Sequence, residues 1–168
     1  MALTTPILLA TAAFDATVAH SFRFEAVGGD RVVKNKLIIK DNETLAEAYN
    51  QEVTSFDFVH TVPAGTLTNG KYYQATITTY NANGDASSAS SPVSFYCYTA
   101  PSIVFTNIPS GNVIGSNNFL FNATYTQAEG ELLNNYTFNL YDIQGLLIAT
   151  SGVQYVGTTT LPPTSLSY

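Results

Sequence analysis

Residues 67–84, Leu-Thr-Asn-Gly-Lys-Tyr-Tyr-Gln-Ala-Thr-Ile-Thr-Thr-Tyr-Asn-Ala-Asn-Gly, constrain this chain more than any other stretch. Between turns at Asn69-Gly70 and Asn83-Gly84-Asp85 the side chains alternate. Tyr73, Ala75, Ile77 and Thr79 fall on one side, and Tyr72, Gln74, Thr76, Thr78 and Tyr80 on the other. A period of two is the signature of a strand with one face buried. The Asn-Gly pair accepts the positive φ angles that a tight hairpin demands. Leu67 and Tyr73 flank the opening turn at a spacing that lets the leucine plug a core while the tyrosine hydroxyl returns to the turn backbone. That is the arrangement of a tyrosine corner.

The rest of the chain repeats this bias toward strands. Of its 168 residues only 11% are charged, and Thr, Ser and Asn fill the places that charges usually take. The 11 Tyr and 10 Phe come without a single Trp. This excludes the antibody-type core, in which a tryptophan packs on a disulfide. Cys97 is the sole cysteine, so an internal disulfide is impossible; in phase with Val93 and Phe95, it reads as a buried filler.

Seven strands are expected before Thr99. Pro6-Ile-Leu-Leu-Ala opens on an edge, Phe22 and Phe24 alternate with Arg23 and Glu25, and Leu37 and Ile39 mark a third strand. Glu43–Tyr49 has helical propensity, but seven residues are too few for an isolated helix, so an edge strand or irregular crossover is preferred. Phe56 and Phe58 mark the next strand, residues 67–84 the sixth, and Val93, Phe95 and Cys97 the seventh, after a small polar bend at Ser87–Pro92.

The pattern then restarts at Thr99-Ala100-Pro101, which divides the chain into domains 1–99 and 100–168. His20-Ser-Phe-Arg-Phe-Glu-Ala26 matches Asn117-Asn-Phe-Leu-Phe-Asn-Ala123. Lys36-Leu-Ile-Ile-Lys-Asp41 matches Thr137-Phe-Asn-Leu-Tyr-Asp142, and Ser55-Phe-Asp-Phe58 matches Ser165-Leu-Ser-Tyr168. On this alignment the second domain lacks its last two strands, which exposes apolar surface and strand edges. Three explanations stand: a fragment of a longer chain, which is preferred, strands donated by a partner, or a smaller β fold.

Chemistry is sparse. His20 and His60 stand apart from any cluster with zinc-ligand spacing, and Asn81, Asn83 and Asp85 suit a turn better than a calcium loop. Gly28-Gly29-Asp30 lacks the helix a phosphate loop requires, and no Gly-x-Ser-x-Gly elbow occurs. No catalytic residue, metal or cofactor is expected, and the chain reads as a non-enzyme. All six basic residues, Arg23, Arg31, Lys34, Lys36, Lys40 and Lys71, precede position 72 within a net charge of −6, which disfavours nucleic acid. Lys34, Lys36 and Lys40 alternate along a strand as the solvated face of a sheet. No Lys or Arg precedes Arg23 and no apolar run spans a bilayer, so neither a signal peptide nor a membrane segment is expected. The sequons at Asn42, Asn122 and Asn135 would then go unused. Tyr72, Tyr80, Tyr96 and Tyr98 project outward with Thr76 and Thr78 as a candidate surface for protein or glycan contact. Ordinary cross-strand pairing on a solvated sheet explains them as well, and is preferred.

Leu67-x-x-Gly-x-x-Tyr73, the Asn81…Gly84 turn and Ser-Ser-Pro-Val-Ser-Phe95 together resemble fibronectin type III modules. The Pro-initiated tandem units, Phe95-Tyr-Cys-Tyr-Thr-Ala-Pro101 and Leu161-Pro-Pro-Thr-Ser-Leu-Ser-Tyr168 make the chain similar to tail and baseplate minor structural proteins of phages infecting Gram-positive bacteria. The resemblance implies two tandem immunoglobulin or fibronectin type III-like β-sandwich domains in a non-catalytic virion component. It implies assembly in the host cytoplasm, other virion proteins as partners, a homo-oligomer within a symmetric assembly, and spacing of a receptor-binding part. An accessory module that binds host cell-wall glycan or protein ranks second, and a pilin-like subunit completed by a partner strand third.

Overall fold

The computed structural model describes residues 2–167 as an all-β chain dividing into two compact units, Met1–Thr99 and Ala100–Tyr168. In unit 1, β1 (Ile7–Leu8), β2 (His20–Glu25) and β5 (Val59–Val62) form one antiparallel sheet in the order β1-β2-β5. β3 (Lys34–Asp41), β4 (Glu47–Thr54), β6 (Lys71–Tyr80) and β7 (Val93–Cys97) form the other, in the order β4-β3-β6-β7. Leu8, Phe22, Phe24 and Val62 from the first sheet meet Leu37, Ile39, Tyr73, Ala75, Ile77, Phe95 and Cys97 from the second in one buried cluster. Alternation along each strand, apolar inward and polar outward, is what lets two sheets share that core.

β6 buries Tyr73, Ala75, Ile77 and Thr79 and is paired on both sides, against β3 (Leu37 opposite Ile77) and β7 (Tyr73 opposite Phe95). Its exit is the tight turn that the Asn-Gly pair predicts. Asn81 accepts through Oδ1 from the amides of Asn83 and Asp85, Gly84 takes a φ of 87° and donates to the Asn81 carbonyl at 3.1 Å, and Tyr80 bridges Ala86 antiparallel directly beyond it. Ser87 Oγ accepts from the Thr79 amide and Ser90 Oγ from the Ile77 amide, at 3.0 and 3.1 Å. Serine hydroxyls thus do the work of ladder carbonyls where a polar bend is expected, and β7 begins at Val93.

Glu43–Tyr49 is the crossover and edge strand expected of it rather than a helix, and one other expectation shifts. The segment after Asp41 is a turn, held by Asp41 Oδ1 accepting from the Glu43 and Thr44 amides, and the edge strand β4 starts at Glu47. Leu45 adopts a φ of 61° in that turn, which no continuous helix permits. The fifth strand lies at Val59–Val62, with His60 and Val62 inward. Phe56 and Phe58 precede it and are 59% and 45% exposed; the Arg31 guanidinium covers the Phe56 ring at 4.5 Å, which gives that phenylalanine a surface partner instead of the core.

Unit 2 contains β8 (Ser102–Phe105), a 3-10 turn at Ser110–Asn112, β9 (Asn118–Phe121), β10 (Ala123–Thr126), β11 (Leu133–Tyr136), β12 (Asn139–Tyr141), β13 (Leu147–Thr150), β14 (Gln154–Thr158) and β15 (Thr164–Ser167). All pair antiparallel in twos: β8 with β10, β9 with β15, β11 with β14 and β12 with β13. The break between β9 and β10 is bridged by Asn107, whose side chain donates to the Leu120 carbonyl at 2.6 Å and accepts from the Asn122 amide at 2.8 Å. Phe121, Tyr136, Phe138, Leu161 and Leu166 form its buried cluster.

The two units share more than composition. Phe22 stands opposite His60 in β2–β5, and Phe119 opposite Leu166 in β9–β15. Asp142 repeats the role of Asp41: its Oδ1 accepts from the Gln144 and Leu146 amides in the turn that joins β12 to β13. The registers correct the third sequence match. Because Leu166 takes the place of His60, Ser165–Ser167 correspond to residues 59–61 rather than 55–57, and Tyr168 lies outside the described residues. The mismatch arose from reading exposed Phe56 and Phe58 as core.

Candidate contact surface

The outward face of the β4-β3-β6-β7 sheet carries the candidate residues. Tyr72 and Tyr96 are directly opposite each other across β6 and β7, with ring centroids 4.6 Å apart at a 38° tilt. Tyr72 is 62% exposed and Tyr96 half-buried. Tyr98 follows beyond the end of β7, half-buried, its amide donating to the Phe14 carbonyl at 3.0 Å. Tyr80 does not join them. It lies eight residues along β6 from Tyr72, about 26 Å away in an extended strand, with Lys34 Nζ 4.5 Å over its ring. Lys34 also bridges Glu52 at 2.7 Å, so this end of the face is a small polar network. The structure therefore yields one aromatic pair with a neighbour, and a separate, charge-engaged tyrosine.

The pair is held from below by the turn after β3. Lys71, next to Tyr72, bridges Asp41 at 2.8 Å, and the Asn42 amide donates to the Tyr72 carbonyl at 2.9 Å. The Lys71 ammonium, aided by the Thr44 and Glu43 amides, holds the Asp41 carboxyl far below the usual carboxylate range; Asp41 in turn raises Lys71. At the same end, Leu67 is buried in the core, and Tyr73 Oη accepts from the Thr68 amide at 3.0 Å while donating to its carbonyl at 3.3 Å. Gly70 turns at a φ of 80° and donates to the Cys97 carbonyl at 2.7 Å, which joins the opening of β6 to the end of β7.

The inner face holds a feature that strand periodicity alone did not find. His60 from β5 spans the two sheets, with Nδ1 2.5 Å from Asn35 Oδ1 on β3 and Nε2 2.9 Å from Tyr49 Oη on β4. An amide oxygen only accepts, so Nδ1 carries the proton and Nε2 accepts from Tyr49. The ring is thus neutral and fully used, and burial pushes its pKa down to about 4. Asn35 Nδ2 is buried with no partner. The signal in the sequence is Asn35 itself, an amide in the inward phase of Leu37 and Ile39. An amide buried in that phase needs a polar partner across the core, and that partner, His60, lies 25 residues away on β5, where local periodicity does not reach.

Cys97 is fully buried, and burial, with the Asp15 carboxylate, pushes its thiol up to about 11, opposite to what a nucleophile needs. His20 stacks on Phe14 at 3.7 Å and meets the Thr11 hydroxyl at 2.8 Å. No three His, Cys, Asp or Glu side chains among the described residues gather as a metal site. Open grooves of about 470 Å³ beside Asp30, Arg31 and Phe56, and about 580 Å³ beside Arg23, Glu25, Asp57 and Phe58, are lined by turn and strand-edge residues. What this surface offers chemically is stacking and hydroxyl hydrogen bonding. No protein-family model matches the chain, and no curated protein matches it in sequence.

Proposed function

We propose that the chain is a non-catalytic structural component of a phage virion, of the tail or baseplate, in which fibronectin type III-like β-sandwich modules mediate assembly and space a receptor-binding part. The observation that carries this reading is the strand order of unit 1, β1-β2-β5 against β4-β3-β6-β7, with the Leu67–Tyr73 corner at the opening of β6. Two sheets packed face to face leave broad outer faces for contact, which supports a spacing and attachment role by analogy of architecture. The inert Cys97, the neutral, saturated His60 and the scarcity of charge support a role in packing and contact. Its partners are other virion proteins, including further copies of itself within a symmetric assembly. Mass spectrometry of purified virions that carry the coding sequence tests the reading. The polypeptide is expected at a stoichiometry that fits a symmetric tail structure, and its absence from the particles overturns the proposal.

A second reading, a module that contacts host cell-wall glycan, is favoured by the exposed Tyr72 ring beside Tyr96. Aromatic faces stack on sugar rings with little loss of side-chain entropy. Tyr72→Ala/Tyr96→Ala is expected to abolish glycan-array signal. Because Tyr72 is exposed, its truncation alone should change stability by no more than about 0.5 kcal/mol. An array with no signal for the parent chain, or signal untouched by the double substitution, removes this reading.

A further inference from the structure

β3 is paired on both edges, by β4 and by β6. Its counterpart in unit 2, the β11–β12 segment, is paired on one edge only among the described residues, by β14 and β13. We infer that the other edge of β11–β12 is a docking edge for a two-stranded β-hairpin of the β6–β7 kind.

The correspondence fixes the geometry. Leu37 and Ile39 stand opposite Ile77 and Ala75 of β6, and Phe138 and Leu140 occupy the same positions four and two residues ahead of the shared turn aspartates, Asp41 and Asp142. The leading strand of the partner therefore runs antiparallel to residues 135–142, with one small-to-medium apolar side chain facing Phe138 and another facing Leu140. The backbone of the edge points the right way. Phe138 turns its N–H and C=O toward β13, where they meet Ser151 Oγ and the Ser151 amide at 2.9 Å each. Strand alternation sends those of Thr137 and Asn139 to the opposite edge.

The core carries the same message. Of the thirteen buried members of the unit 1 cluster, six (Leu67, Tyr73, Ala75, Ile77, Phe95 and Cys97) belong to residues 67–97. The unit 2 cluster has five buried members, and Phe105, which packs on Phe121 and Phe138, stays 44% exposed. Phe119, the counterpart of Phe22, is only half-buried, whereas Phe22 is 1% exposed. Apolar side chains that a hairpin covers in unit 1 are open in unit 2, beside an edge that carries no Lys or Pro to discourage pairing. The occupant is thus a polypeptide hairpin with apolar and aromatic residues on one face, Thr and Tyr on the other, and a leucine six residues before an inward tyrosine.

Hydrogen exchange on the isolated, isotope-labelled full chain tests this independently of any role in a virion. The probe is a synthetic peptide of residues 66–99. Alone, the Thr137 and Asn139 amides should exchange near free-chain rates; with excess peptide they should slow at least tenfold, with unit 1 unchanged. Asn139→Pro removes one outward N–H and, on the β13 side, the side-chain bond from Thr150 Oγ1, while the Phe138 backbone bonds to Ser151 stay available; it should abolish the slowing at Thr137. If the peptide self-associates, the same segment tethered after residue 168 by a flexible linker replaces it at high effective concentration. Unchanged exchange with both probes overturns the inference. So does concentration-dependent protection of Thr137 and Asn139 without any probe, which would mean that a second copy of the chain takes the edge.

Discussion

Phe22→Ala is expected to destabilise unit 1 by about 3–5 kcal/mol, the range for truncating a buried phenylalanine in a close-packed core. Phe22 sits where the sheets meet, with the Phe14, His20 and Phe95 rings at 6.1, 5.2 and 5.1 Å, each near edge-on. Removing it deletes the burial of one large ring and also the packing of three neighbours, which a rigid two-sheet core cannot close over. Against a typical domain stability of about 5–15 kcal/mol, that is a large fraction of the total. Thiol labelling of Cys97, which is buried in unit 1 and is the sole cysteine, reads that unit without interference from the other. The variant should label on the order of a hundredfold or more faster than the parent under conditions where opening limits labelling through its equilibrium population. Phe119→Ala, at the equivalent but half-buried position of unit 2, should leave Cys97 labelling unchanged. Equal labelling rates for parent and Phe22→Ala would show that Phe22 does not stand in the core.

Acid should weaken unit 1 by about 2–3 kcal/mol between pH 7 and 4.5, through His60. The ring is buried and neutral in the folded chain, with its pKa pushed down to about 4, whereas in the unfolded chain it titrates at its ordinary 6.5. Between those values the unfolded state binds the extra proton, so stability is full above pH 6.5 and falls as the pH drops toward 4. Below 4 both states are protonated and His60 adds no further loss. His20, also lowered by burial, acts in the same direction. Asp41 and Glu52 are held low by Lys71 and Lys34, so their contributions are lost as the pH falls below the unfolded values of 3.8 and 4.5; most of that loss lies below the window, and the part of Glu52 that begins at its acid end acts in the same direction as His60. Urea midpoints at pH 7 and 4.5, read by Cys97 reactivity toward a pyridyl disulfide that works in acid, check this. Asn35→Val/His60→Leu removes the polar chain together, so that no amide is stranded, and should flatten most of the dependence. A parent midpoint that does not move between the two pH values would contradict the buried neutral ring.

Much of unit 1 was legible because β6 and β3 obey a strict period of two under full burial, which leaves little freedom in register. Tyr73, Ala75, Ile77 and Thr79 all point inward, as their spacing demands. What escaped was set by tertiary choices that a local pattern does not encode. Phe56 and Phe58 look like core residues, but Arg31 offers one of them a stacking partner outside, and the inward positions fall to His60 and Val62. Asn35–His60–Tyr49 joins three strands through hydrogen bonds, and only an assembled pair of sheets brings them together. The four tyrosines look like one stripe in the sequence, yet the length of β6 separates Tyr80 from Tyr72, and only cross-strand register pairs Tyr72 with Tyr96. In unit 2, interrupted strands and the Asn107 bridge blur the alternation, so the repeat was visible while one of its registers was off by four residues.

On the proposed reading, this chain serves a virion tail through its architecture. Immunogold electron microscopy of intact particles, with antibodies raised against residues 2–99, tests it most directly. Gold confined to the tail tip or baseplate is the predicted result. Label on the capsid alone, or none on particles whose lysate contains the chain, would contradict it.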